Sequence, residues 1–241
     1  MFKIIIFVIG IYGFAGAFQP RISGGFKTLI EQFPHQVSIP ASCFIKEAIS
    51  DLTVAAGSDS LEAPQQVLPV AKTRIHEMFT DSFNRDCNVG LLELHGSLLF
   101  SPSTQPIPLQ HHQASTSTAA LIAGWGVIVG TGSISHELRA AGLRILPHED
   151  CVNTFEGKGF STDRMMCGAV HVVIPMAKNE EAVGPCSGDE GAGLICTDEM
   201  ALCGIAWTWN YACGVETPDR AISGYTKINH PDIINWLKRY V

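Results

Sequence analysis

The chain has no run of about twenty apolar residues, the length a helix needs to cross the hydrocarbon layer of a membrane. Its longest candidate, MFKIIIFVIGIYGFAGA, loses its apolar character after Phe14. Charge is scarce: 16% of the 241 residues are charged against 46% hydrophobic, which excludes a disordered or fibrous chain and suits one globular unit or two closely joined halves. A basic excess is missing as well. With 16 basic and 23 acidic residues the formal net charge is −7, so nucleic acid and anionic membranes are not expected partners. No C-x-x-C pair suggests zinc, and the one adjacent histidine pair, His111-His112, has no spaced third ligand; neither metal nor cofactor is expected. There is no Asn-x-Ser/Thr acceptor for N-linked glycan, and no repeat, coiled coil or low-complexity tract.

What is present begins with an address. Lys3, the apolar run Ile4 to Phe14 and the small-x-small triplet Ala15-Gly16-Ala17 read as a signal peptide cut after Ala17, the alternatives being a membrane anchor or a buried strand. Losing Lys3 and Arg21 on processing leaves 14 basic and 23 acidic residues, a net charge of −9. Eight cysteines, Cys43, Cys87, Cys151, Cys167, Cys186, Cys196, Cys203 and Cys213, behind a secretory signal read first as disulfides. Short apolar segments such as FPHQVSI, LTVAAGS, VGLLELHG, ALIAGWGVIVG and ALCGIAW, separated by Gly, Pro, Ser and Asp, predict an all-β barrel or sandwich. Only HPDIINWLKRYV reads as helix, opened by Pro231 and Asp232, with Ile233, Ile234, Trp236, Leu237 and Tyr240 on one face. The polar stretch 111–120 reads as a connector between two halves of similar size.

Several of these segments, in this order and spacing, resemble the chymotrypsin-like serine proteases: RISGG and FPHQVSI, LTVAAGSDSL, CNVGLLEL, QPIPL, LIAGWG, MMCGA, CSGDEGAGLIC and SGYTKINHPDIINWL. The resemblance implies two packed six-stranded antiparallel β-barrels, a C-terminal helix and a cleft between the barrels. With the leader read at 1–17, it also implies a short pro-segment at 18–21 and a homologous domain at 22–241.

The family's chemistry uses a serine nucleophile, a histidine that moves its proton and an aspartate that orients the histidine. Here the loop reads Gly188-Asp189-Glu190-Gly191-Ala192-Gly193, with Glu190 at the nucleophile's position, and Asn88 stands at the aspartate's. The segment that would carry the histidine, with its strand, is absent after Cys43, so the N-terminal barrel is expected to lack a strand. The backbone amides of Gly188 and Glu190 correspond to the oxyanion hole, and Gly184 and Ser223 to an uncharged specificity-pocket floor. Arg21-Ile22 and Asp189 match the family's activation switch, in which a cut after Arg21 frees an amino group that pairs with the buried aspartate. GIAWTWNYAC carries one residue more than the family's strand, and Trp207 and Trp209 read as core or wall.

The resemblance pairs Cys151 with Cys167 and Cys186 with Cys213. A two-residue turn at Glu199-Met200 would set Cys196 opposite Cys203, leaving Cys43 for Cys87 across the gap; free or intermolecular thiols are the alternative. These residues lead to the expectation of a secreted, monomeric protein that is not an enzyme and works by binding a protein or peptide: a protease, a protease inhibitor or a substrate. The alternatives are an active serine-type endopeptidase obscured by a defective gene sequence, and a secreted protein with no specific ligand.

Overall fold

The structure is a computed structural model; it describes residues 5–8, 22, 25–39, 52–79, 86–127, 134–156, 162–170, 184–209 and 221–240. Among the described residues, twelve strands form two sheets, accompanied by two α-helices. In the first half, β3 (Val37–Ser38), β4 (Thr53–Ala56), β5 (Gln66–Ile75) and β6 (Gly90–Leu94) pair antiparallel in sequence order, and β1 (Ile5–Val8) adds to the far side of β6. This five-stranded sheet curls around Leu52, Val54, Ala56, Val70, Leu92, Leu94 and Leu98. The alternation in β4, where Val54 and Ala56 are buried and Thr53 and Ala55 half-buried, is the period of two that a strand with one core face requires.

The second half is a closed barrel. β8 (Arg139–Ile145), β7 (Ala119–Gly124), β10 (Gly193–Cys196), β11 (Ala201–Trp209), β12 (Ile222–Lys227) and β9 (Met165–Val170) follow one another, and pairing of β8 with β9 closes the ring. A short β2 (Phe26–Lys27) adds to β8. Closure leaves these strands no free edge, and Ile122, Leu143, Leu194, Ala206 and Tyr225 fill the interior.

α2 (Pro231–Leu237) follows the sequence reading: Pro231 occupies its first turn, and the N-cap His230 accepts from Asp232 N–H through Nδ1 at 3.2 Å. Its apolar face, Ile233, Ile234, Trp236 and Leu237, packs on Val89 and Leu91 from the first sheet and on Ile195 and Ile205 from the barrel, so the helix locks the two halves together. Arg164 ties the same seam, bonding Asp86 at 2.9 Å and Asp232 at 2.8 Å.

Three details depart from the sequence reading. A second helix, α1 (His148–Thr154), follows Pro147, with Glu149 and Asp150 in its first turn to complement the helix dipole. The β10–β11 turn spans four residues, 197–200, because Cys196 pairs with Ala201 and not with Cys203. The Cys196–Cys203 bridge forms on the diagonal instead, Cα to Cα 5.7 Å, beside a bulge between Leu194 and Ile195. Finally, Cys87 is a free thiol, which corrects the expected bridge to Cys43. Cys87 lies in the cluster of Val89, Trp236 and Ile233 between sheet and helix, whereas Val37 and Ile39, which lead toward position 43, pack in the other core.

Candidate active site

The loop from Gly184 to Ala192 is shaped by one buried carboxylate. Asp189 accepts from Cys186 N–H at 3.0 Å and from Gly126 N–H at 2.7 Å, and its own N–H donates to Cys186 C=O at 2.8 Å. Burial pushes the Asp189 carboxyl well above the usual carboxylate range; the two amides pull the other way, and the neighbouring charge of Glu190 raises it further. Asp189 fits only because residue 124 is glycine: a Cβ there would stand 2.2 Å from Asp189 Oδ1. The same point lies 3.7 Å from Ile22 Cδ1. Ile22 is fully buried in the barrel core, so the structure brings two members of the activation triplet to one spot; Arg21 lies outside the described residues.

Glu190 turns back on its own loop, its carboxylate accepting from Gly188 N–H. That amide is one of the two donors matched to the oxyanion hole, and Glu190 holds it at close range. Gly184, buried with φ +147°, and Gly188, with φ +86°, sit in backbone regions that side chains rarely adopt, which fixes these positions as glycine. Ser223 on β12, matched in sequence to the pocket floor, is buried and shares a 2.6 Å hydrogen bond with Tyr225 Oη, while Ser223 Oγ donates to Gly168 C=O at 3.3 Å. Burial pushes the Tyr225 phenol up, so the hydroxyl stays neutral.

β11 pairs alongside β12. Its pairing with β12 slips between Ala206 and Thr208, so the extra residue of GIAWTWNYAC is absorbed as a bulge at Trp207. Trp207 is buried with Phe155, Met165 and Ile222, whereas Trp209 is half-buried at the strand end. Asn88 is also buried, its backbone C=O accepting from Thr226 Oγ1 at 2.9 Å, while its side-chain Oδ1 finds no hydrogen-bond partner among the described residues. Among the described residues, Cys151–Cys167 ties α1 to β9, and Cys196–Cys203 ties β10 to β11. Cys186 is disulfide-bonded; Cys43, Cys213 and the rest of 210–213 lie outside the described residues.

Sequence reasoning did not single out Gly124, Gly126 or Tyr225 as parts of the site. The first two lie in the quoted motif LIAGWG, which was the available signal, and Tyr225 lies in SGYTK. Among the described residues, no group of three His, Cys, Asp or Glu is arranged to hold a metal ion, and no helix is long and apolar enough to cross a membrane.

The family model named Trypsin matches residues 40–237. The chain belongs to the trypsin family. Trypsin 5G1 of Aedes aegypti is 27% identical over 215 residues, covering 80% of this chain and 76% of the relative. Trypsin iota of Drosophila melanogaster is likewise 27% identical over 215 residues, covering 80% and 79%. Among solved structures, neuropsin, a serine protease expressed in the limbic system of mouse brain, superposes with a TM-score of 0.74 at 22% identity, over 90% of this chain and 99% of neuropsin. That likeness establishes the two-barrel trypsin-like fold. The matches also correct the expectation that the chain is not an enzyme: its relatives are named trypsins, and the family points to an enzyme. That expectation rested on the single positions Asn88 and Glu190 and on the absent histidine segment, whereas the match runs through most of the chain.

Proposed function

We propose that this trypsin-family chain acts in proteolysis after secretion and removal of residues 1–17, as a monomer that engages a polypeptide in the cleft beside Gly184–Glu190. The observation that supports this reading is the loop anchored by Asp189, in which the Glu190 carboxylate accepts from Gly188 N–H; in the proposal these two residues take the family's recognition position, with Ser223 and Gly184 as the pocket floor. That floor carries no charge to pair with a basic side chain, so the side chain it accepts is an uncharged one. Ligands of suitable chemistry are a protein substrate, the exposed loop of a protease inhibitor, or a protease that this chain assists.

Two readings of the outcome remain distinct. Serine-type endopeptidase activity is the one that the relatives' names favour, and turnover by this chain would mean that another group acts in place of a serine at position 190. Stoichiometric binding, as regulator or decoy, is favoured by the Glu190 carboxylate lying on Gly188 N–H, where a ligand carbonyl would otherwise be held. The test is to titrate the secreted chain, cut after Arg21, with fluorescein-labelled casein peptides and with a protein inhibitor of trypsin, following anisotropy and peptide cleavage together. Saturable binding is expected; with turnover the first reading stands, without it the second. Absence of both binding and turnover would overturn the proposal.

A further inference from the structure

The end strand of the first sheet comes from the segment read as a leader. Ile5, Ile6, Phe7 and Val8 lie opposite Glu93, Leu92, Leu91 and Gly90 in antiparallel register, on the side of β6 away from β5. If residues 1–17 leave the secreted protein, β6 becomes the end strand of this sheet among the described residues, with a row of main-chain N–H and C=O groups facing outward. An apolar edge of this kind is usually covered or blunted by charge. Charge is scarce here: Glu93 is the one charged residue in Gly90–Leu94, and it lies 3.5 Å from Arg74 on β5. Both faces of β6 are core. Leu92 and Leu94 face the first-sheet interior, and Leu91 packs in the cluster with Trp236 and Ile233.

We propose that in the secreted protein the free edge of β6 is a strand-accepting site that binds an extended apolar segment of a partner polypeptide, antiparallel, in the place Ile5–Val8 holds here. This rests on the polypeptide-binding reading above and adds a second contact outside the cleft. The occupant's chemistry follows from the edge. Main-chain pairing supplies affinity without sequence readout. A residue opposite Leu92 shares its face and enters the first-sheet core, while the residue opposite Leu91 faces the helix side, so both must be apolar. The segment therefore has at least four consecutive apolar residues, as Ile-Ile-Phe-Val does, and no proline, which lacks the N–H the ladder needs. With a net charge of −9 after processing, the chain disfavours an acidic partner.

The experiment starts from the full chain expressed through a secretory pathway, with the N-terminus of the product established by mass spectrometry. A peptide of residues 3–10 with a Lys-Lys tail is then added, and amide hydrogen exchange is followed across Gly90–Leu94. The proposal expects a product lacking Ile5–Val8, saturable peptide binding, and exchange of the β6 amides slowed at least tenfold. A control peptide with Ile6→Pro should bind at least tenfold more weakly. Retention of Ile5–Val8 in the product would overturn it, since the chain would then fill its own edge. So would peptide binding that leaves the β6 amides unprotected, equal binding of the proline peptide, or no binding. The cleft is read separately, by competition with the trypsin inhibitor, so a failure at β6 is distinguishable from a failure of the proposed function.

Discussion

The two halves of the molecule meet the same problem, an antiparallel sheet curled around an apolar core, with different degrees of completion. The second half closes: β8 reaches β9, every barrel strand has two neighbours, and Cys151–Cys167, Cys196–Cys203 and the disulfide of Cys186 brace it. The first half is an open series of five strands whose last member, β1, comes from the extreme N-terminus, and its one described cysteine is unbridged. The candidate loop is built on the closed half, where Asp189 can be buried against fixed amides. The open half offers an edge. The two proposed recognition surfaces thus fall on different halves, one on the braced barrel and one on the open sheet, a division that matters because local stability follows packing and pairing.

The contrast can be broken first at the joint. Trp236 is buried between sheet, barrel and helix, with its ring 5.1 Å from that of His76, so Trp236→Ala should lower stability by ~3–5 kcal/mol. Equilibrium urea unfolding should then show the first half melting ahead of the barrel. A single unshifted transition would mean that α2 does not couple the halves.

Removing the hairpin bridge is the next largest test. Cys196→Ser with Cys203→Ser opens a loop of sequence separation 7 and should cost roughly 2–3 kcal/mol in the chain-entropy account. Hydrogen exchange should quicken in β10 and β11 while β4 and β5 stay unchanged. Equal quickening in both halves would erase the distinction drawn between them.

Asp189 sharpens the comparison through pH. Its folded-state pKa lies above the unfolded value, so the uncut chain is stabilised by this group at pH below about 4 and loses that contribution as pH rises through the raised folded value. Melting temperature against pH should therefore fall less steeply from acid to neutral in Asp189→Asn than in the uncut parent. After a cut behind Arg21, the Ile22 ammonium should lower the Asp189 pKa and remove the difference in slope. Parallel curves in all cases would show that Asp189 is neither raised nor paired.

The smallest effect concerns Cys87, whose thiol burial and Asp86 push up to about 11. Iodoacetamide at neutral pH should leave it unlabelled in the folded chain and label it in urea. Recovery of a Cys43–Cys87 peptide without reduction would restore the bridge that the free thiol rules out.

Much of this was legible in the residues. The motifs from FPHQVSI to SGYTKINHPDIINWL located the fold, and Pro231 with its apolar face located α2, because side-chain periodicity and turn residues are written directly in sequence. What was missed depends on main-chain geometry. The Gly126 amide that holds Asp189 has no side-chain signature, and the diagonal Cys196–Cys203 bridge depends on a bulge that symmetric counting from the turn cannot anticipate. The seven-residue α1 is too short for a helical period to stand out, although Pro147-His148-Glu149-Asp150 was a usable start signal. Family membership corrected the inference drawn from Asn88 and Glu190, since a substitution seen singly speaks to one reaction path and not to the whole chain.

The central claim is that the loop anchored by Asp189 forms a polypeptide-recognising cleft. It is tested most directly by the affinity of the chain, cut after Arg21, for the labelled casein peptides, compared with Asp189→Asn cut in the same way. The account predicts saturable binding by the parent and at least a tenfold weaker affinity in the variant, both remaining folded by circular dichroism. Equal affinities in the two folded proteins would contradict it and place recognition away from this loop.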